Sequence, residues 1–114
     1  MPTIDSQDFC ADLAQALQGF WEDYTGIRPA RVRVVADEQA VAVCLEQVLT
    51  PAEREMASTQ DGREILRELE ERVLEQVKPY LRQLIEGAME QEGILADVHL
   101  DITSGDVLGF FHPA

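Results

Sequence analysis

The chain has 114 residues, enough for one domain with a modest core, and residues 1–114 read as a single domain. Lys plus Arg number 9 against 22 Asp plus Glu, a net charge of −13 with His neutral, which repels phosphate backbones and anionic lipid headgroups. Nucleic-acid binding and direct membrane insertion are disfavoured, and because 46% of residues are hydrophobic the acid reads as a solvated surface, not a disordered tail.

The first residues, Met1 to Cys10, lack the basic region and apolar core of a signal peptide. From Ser6 to Tyr24 the residues Phe9, Leu13, Leu17, Phe20 and Tyr24 recur at helical steps, with Ser6 as the expected N-cap and Gly26 as the stop. Trp21 lies beside this stripe, where covering core outweighs pointing to a partner. Cys10 and Cys44 are distant in sequence with small or apolar neighbours, which suits reduced thiols and a cytoplasmic compartment.

Arg31–Ala36 alternates, with Val32 and Val34 opposite Arg31, Arg33 and Val35. Ala40–Glu46 repeats the pattern across a short polar turn, so the two segments predict a β-hairpin. Thr50-Pro51-Ala52-Glu53 carries a capping hydroxyl, a proline preorganised at the first helical position and a glutamate three residues after the cap. A helix is therefore expected from Pro51, with an elbow over Ala57–Gly62 and a second, long helix beyond it.

That long helix runs to about Met89, roughly 28 residues or about 40 Å. Leu66, Leu69, Val73, Val77, Leu81, Leu84 and Ala88 form one stripe, widened by Ile65, Leu74, Tyr80 and Ile85. The stripe is wider than one small sheet needs, which predicts a second partner and a homodimer through this helix. Pro79 removes one intrahelical hydrogen bond and is expected to bend or split the helix. Gly93 is the expected stop. Asp97–Thr103 and Val107–His112 then predict a second hairpin around Ser104-Gly105-Asp106. The order α-β-β-α-α-β-β implies an α+β fold: a four-stranded, mainly antiparallel sheet packed by a long bent helix.

Several blocks act together: G-I-R-P-A-R-V-R-V from Gly26, V-L-T-P-A-E from Val48, T-Q-D-G-R-E from Thr59, V-K-P-Y-L-R-Q-L-I-E from Val77 and V-H-L-D-I from Val98. Their combination resembles the MpsC-like family, named for a component of a bacterial sodium-translocating, membrane-potential-generating system. The resemblance covers about Gly19 to Phe111. It implies a small soluble bacterial accessory to ion or inorganic-carbon transport machinery, with no catalytic residue to carry over. A chain without a membrane span cannot translocate sodium alone, so any work at a membrane is expected through a protein partner. The S-G-D turn is shorter than the family's usual turn before its last strand, so the resemblance carries no ligand role over to that loop.

The candidate polar patch is Arg31, Arg33, His99 and Asp101, two pairs that each share one face of their own strand. If the first and third strands are neighbours, the four form either a structural ladder or an anion-binding patch. His99, Asp101 and His112 lack a recognised metal-ligand spacing, and Asp61-Gly62-Arg63-Glu64 reads as a helix start, with acids opposing a phosphate. Nucleophile, Walker and Rossmann signatures are absent, so a non-enzymatic role without cofactor is expected. The alternative is a small-ligand (anion) sensor or weak enzyme using the polar sheet face.

Overall fold

A computed structural model describes residues 7–114; the expected N-cap Ser6 lies outside them. Helix α1 spans Gln7–Thr25, strands β1 and β2 span Arg31–Ala36 and Val41–Glu46, and helix α2 is short, Pro51–Met56. Helix α3 runs from Gln60 to Met89, and β3 (Ile94–Asp101) and β4 (Asp106–Pro113) close the chain. The expected α+β architecture and element order hold. The four strands form one sheet in the order β1-β2-β4-β3, with all three pairings antiparallel.

The two hairpins meet at the centre, where β2 pairs with β4, which leaves β1 and β3 as opposite edges. Helices α1 and α3 cover one face of the sheet and meet Val41, Val43, Leu45, Ile94, Val107 and Phe111 there. Among the described residues, the opposite face carries no helix. A second, smaller cluster of Leu49, Leu66 and Ile102 lies under the elbow between α2 and α3. The molecule measures 47 × 26 × 21 Å. At 1.5 Å per residue the 30 residues of α3 account for about 45 Å, so this helix sets the long axis.

Local chemistry fixes the helix ends. Thr50 accepts from Glu53 N while the Glu53 carboxylate accepts from Thr50 N, the reciprocal box that its sequence predicts. Thr59 caps α3 by accepting from Gly62 N at 3.0 Å. Gly62 is required by contact: a Cβ there would stand 1.8 Å from the Met56 carbonyl oxygen. Gly26, at φ +80°, ends α1 as expected. The end of α3 differs from expectation, because Glu90 takes the left-handed conformation (φ 55°) at the C-cap and Gly93 serves the following turn.

Two further expectations shift. Helix α3 continues unbroken through Pro79, which sits on the solvent side, where water can take the carbonyl it leaves unpaired. Its buried line is Leu66, Leu74, Val77, Leu81, Ile85 and Met89, whereas Ile65, Leu69 and Tyr80 are exposed. The apolar residues span close to half the helix, and the sheet covers only one side of that span. In α1 the buried line is likewise Leu13, Leu17 and Trp21, with Tyr24 exposed; Trp21 is core, at 2% exposure.

Candidate interaction surfaces

The structure places Arg31, Arg33, His99 and Asp101 on the same helix-free face, but it does not bring the two pairs together. The ladder needs neighbouring strands, and β1 and β3 are the two edges of the sheet. One row of side chains runs Arg33, Cys44, Leu108, His99, so three interstrand steps, about 14 Å, separate Arg33 from His99. Each pair has local partners instead. Arg31 Nη2 and Arg33 Nε both reach Glu46 Oε2, at 3.0 and 2.9 Å. A hydrogen bond to Cys44 and the Glu46 charge push the Arg33 pKa up. Asp101 accepts from Thr103 N and Ser104 N, holding the turn into β4.

The middle rows of the face are largely apolar, with Glu46 and Asp106 at one end of the central strands and His112, against Phe110, at the other. Val35 is 72% exposed and Phe110 47%, and Leu95 and Leu108 are exposed beside them. Alternation alone produces this pattern: each strand turns one set inward, and the outward set includes these four residues with Ala42 and Cys44. Both cysteines are free thiols.

A second apolar surface lies on the helices. Tyr24 stacks with Phe20 and lies against Tyr80, with ring centroids 5.7 Å apart in each pair. Beside them opens a cavity of about 300 Å³, lined by Trp21, Tyr24, Val48, Leu69 and Val73 among others. Two carboxyls, Glu53 and Glu70, share its wall. Glu70 occupies the α3 slot between Leu66 and Leu74, where the buried line expects an apolar residue. Desolvation, followed by the hydrogen bond and the charge of Glu53, pushes its pKa up to about 7. Burial raises Glu53 as well, but its hydrogen bonds with Glu70 and Thr50 outweigh this and hold it below the usual range. The hydrogen bond with Glu70 and the helix cap together favour the ionised form of Glu53, and the shared proton is held more readily at Glu70.

Sequence reasoning missed this pair, whose only trace is an acid where the helical period calls for a core residue. A charged groove of about 690 Å³ runs between α3 and β3, with Arg67, Glu71, Arg72, Glu75 and Lys78 above Val98 and Leu100. Among the described residues there is no group of three or more His, Cys, Asp or Glu side chains placed to hold a metal ion. No helix among them is long and apolar enough to cross a membrane.

The family described as the Na+-translocating membrane potential-generating system (MpsC) matches residues 6–106. The chain belongs to the MpsC family. The match takes in α1 through β3, and therefore the helix-layer surface and most of the sheet. No curated protein and no solved structure matches the chain.

Proposed function

We propose that this MpsC protein is a non-enzymatic accessory or regulatory component of ion or inorganic-carbon transport machinery that works by docking on another protein. The observation that carries this reading is the aromatic and aliphatic surface on the helix layer: Tyr24, Ile65, Leu69 and Tyr80 stay exposed beside a well-filled core. An apolar patch rimmed by charge is the usual form of a protein contact. The rim here carries more acid than base, with Glu64 and Glu68 on α3 and Asp23 on α1 exposed near these residues against Arg72 one turn beyond Leu69.

This charge suits a membrane transport protein, whose short cytoplasmic loops are enriched in Lys and Arg. In this reading the protein is cytoplasmic and held at the membrane by its partner. The family's sodium-translocating name supports the setting. The test is capture from native membranes with the wild-type protein and with Leu69→Glu plus Tyr80→Glu. The wild type is expected to retain a transport protein that the double variant loses. Equal recovery with both, or no transport protein with either, would overturn the reading.

A further inference from the structure

We infer that the helix-free face of the sheet is a homodimer interface whose two-fold axis runs parallel to the strands. This goes beyond the partner contact above, because it uses the opposite layer of the molecule. The occupant is a second copy of the chain, and three properties of the face select it.

The first is charge. Arg31 and Arg33 share the single carboxylate of Glu46, so the β1 edge keeps one excess positive charge. The β3 edge carries Asp97 and Asp101 on the same face. An axis parallel to the strands lays β1 of one subunit over β3 of its partner with rows preserved, and so sets Arg31 against Asp101 and Arg33 against His99, with Asp97 and Asp101 two residues to either side of it, along both rims; Glu46, which then faces Asp106, is held by the two arginines. The other axis that keeps the strands aligned lies across them, and it would set β1 over β1 and arginine over arginine. Face-packed sheets of the aligned class keep their strands within about 30° of each other. These are therefore the two arrangements to compare, and charge favours the first.

The second is shape. In the strand-parallel arrangement β2 lies over β4 of the partner with rows preserved, so Ala42 faces Phe110 and Cys44 faces Leu108. Large side chains meet small ones at the centre, as interdigitating layers require. The crossed arrangement reverses the rows and lays β4 over β4, so the Phe110 and Leu108 side chains meet the same large pair of the partner, and it leaves the Ala42 and Cys44 strands facing each other across a gap.

The third is where the acid lies. The strand residues of this face hold two arginines against Glu46, Asp97, Asp101 and Asp106, whereas the chain as a whole carries −13. Most of the excess acid therefore sits away from the face, and approach through the sheet meets less repulsion than approach through the helices. Four strands of six to eight residues give a footprint of roughly 500 Å² per subunit before side-chain relief is added. That is at the small end for a specific interface, so a weak, concentration-dependent dimer is expected.

Sedimentation equilibrium tests the inference, with circular dichroism confirming that each variant is folded. Phe110→Glu, and Val35→Glu independently, are expected to weaken the dimer at least about tenfold. Leu69→Glu on the helix layer is expected to leave it unchanged. Arg31→Glu plus Arg33→Glu is expected to weaken it, and adding Asp101→Arg and His99→Arg, the positions that face them, to the same chain to restore it. A wild-type monomer at about 100 µM overturns the proposal, as does dissociation by Leu69→Glu without an effect of Phe110→Glu. Failure of the four-charge exchange to restore association overturns the strand-parallel axis.

Discussion

Glu70 shows how one residue can work against the layer that holds it. Its carboxyl stands on the core line of α3 beside a Glu53 carboxylate whose ionised form the shared hydrogen bond and the capping box favour. A folded-state pKa raised above the unfolded value means that the fold binds the extra proton more tightly. The associated stability is present below the unfolded value and is lost as the pH rises from about 4.5 to about 7. Glu70 is only half-buried, so solvent screening reduces the effect to about 1 kcal/mol. Glu70→Gln keeps the hydrogen-bonding shape without the titration. It should raise the Tm at pH 8, have little effect at pH 4.5 and flatten the intervening slope, as thermal melts across that range would show. Glu53 acts in the opposite sense: its depressed pKa supplies stability above the unfolded value that is lost as the pH falls through the folded one.

Among the elements, the α2–α3 elbow is the least tolerant. Gly62→Ala puts a methyl into the Met56 carbonyl, and displacing backbone at a cap should cost about 3 kcal/mol, measurable as a lowered urea midpoint. That elbow was legible in the sequence because each part has a local signature: Thr50 with Glu53, Thr59 with Gly62, and a proline at the first helical position. The hairpins were legible for the same reason, since alternation and a short polar turn specify a strand pair without reference to the rest of the chain. Strand order was not. Nothing in Arg31–Ala36 or Asp97–Asp101 states which edges of the two hairpins join, and the β2–β4 junction separates Arg33 from His99. The helix stripe was half legible: Val77 and Leu81 lie inside, but Leu69 and Ile65 are outside because the sheet covers only part of an apolar surface that spans both.

The whole molecule has two layers with contrasting electrostatics. The helices carry most of the −13 charge and an apolar patch within it, whereas the sheet carries a face with opposite charges at its two edges. Long-range repulsion between two copies is screened by salt, with a Debye length of about 30 Å at 0.01 M and about 8 Å at 0.15 M. The two surfaces should therefore respond to salt to different degrees. Raising the ionic strength over this range should loosen capture of a basic partner by the helices, whereas self-association through the sheet should change less, because screening of the −13 repulsion offsets screening of the rim attractions. Sedimentation and pull-down at matched salt concentrations would reveal the contrast, and equal loosening of both would argue against the division of roles.

The ladder between β2 and β4 also governs how the chain reaches this state. Val41 pairs with Phe111, seventy residues away, whereas each hairpin and α3 form from local contacts. Closing so long a loop carries an entropic cost that local structure does not repay, so the two hairpins take shape early and the central seam closes late. Until it does, β2 and β4 each present an unpaired edge flanked by valine, leucine and phenylalanine, the kind of segment that pairs with a neighbouring chain. The chain's overall charge of −13 opposes such pairing between copies during that interval.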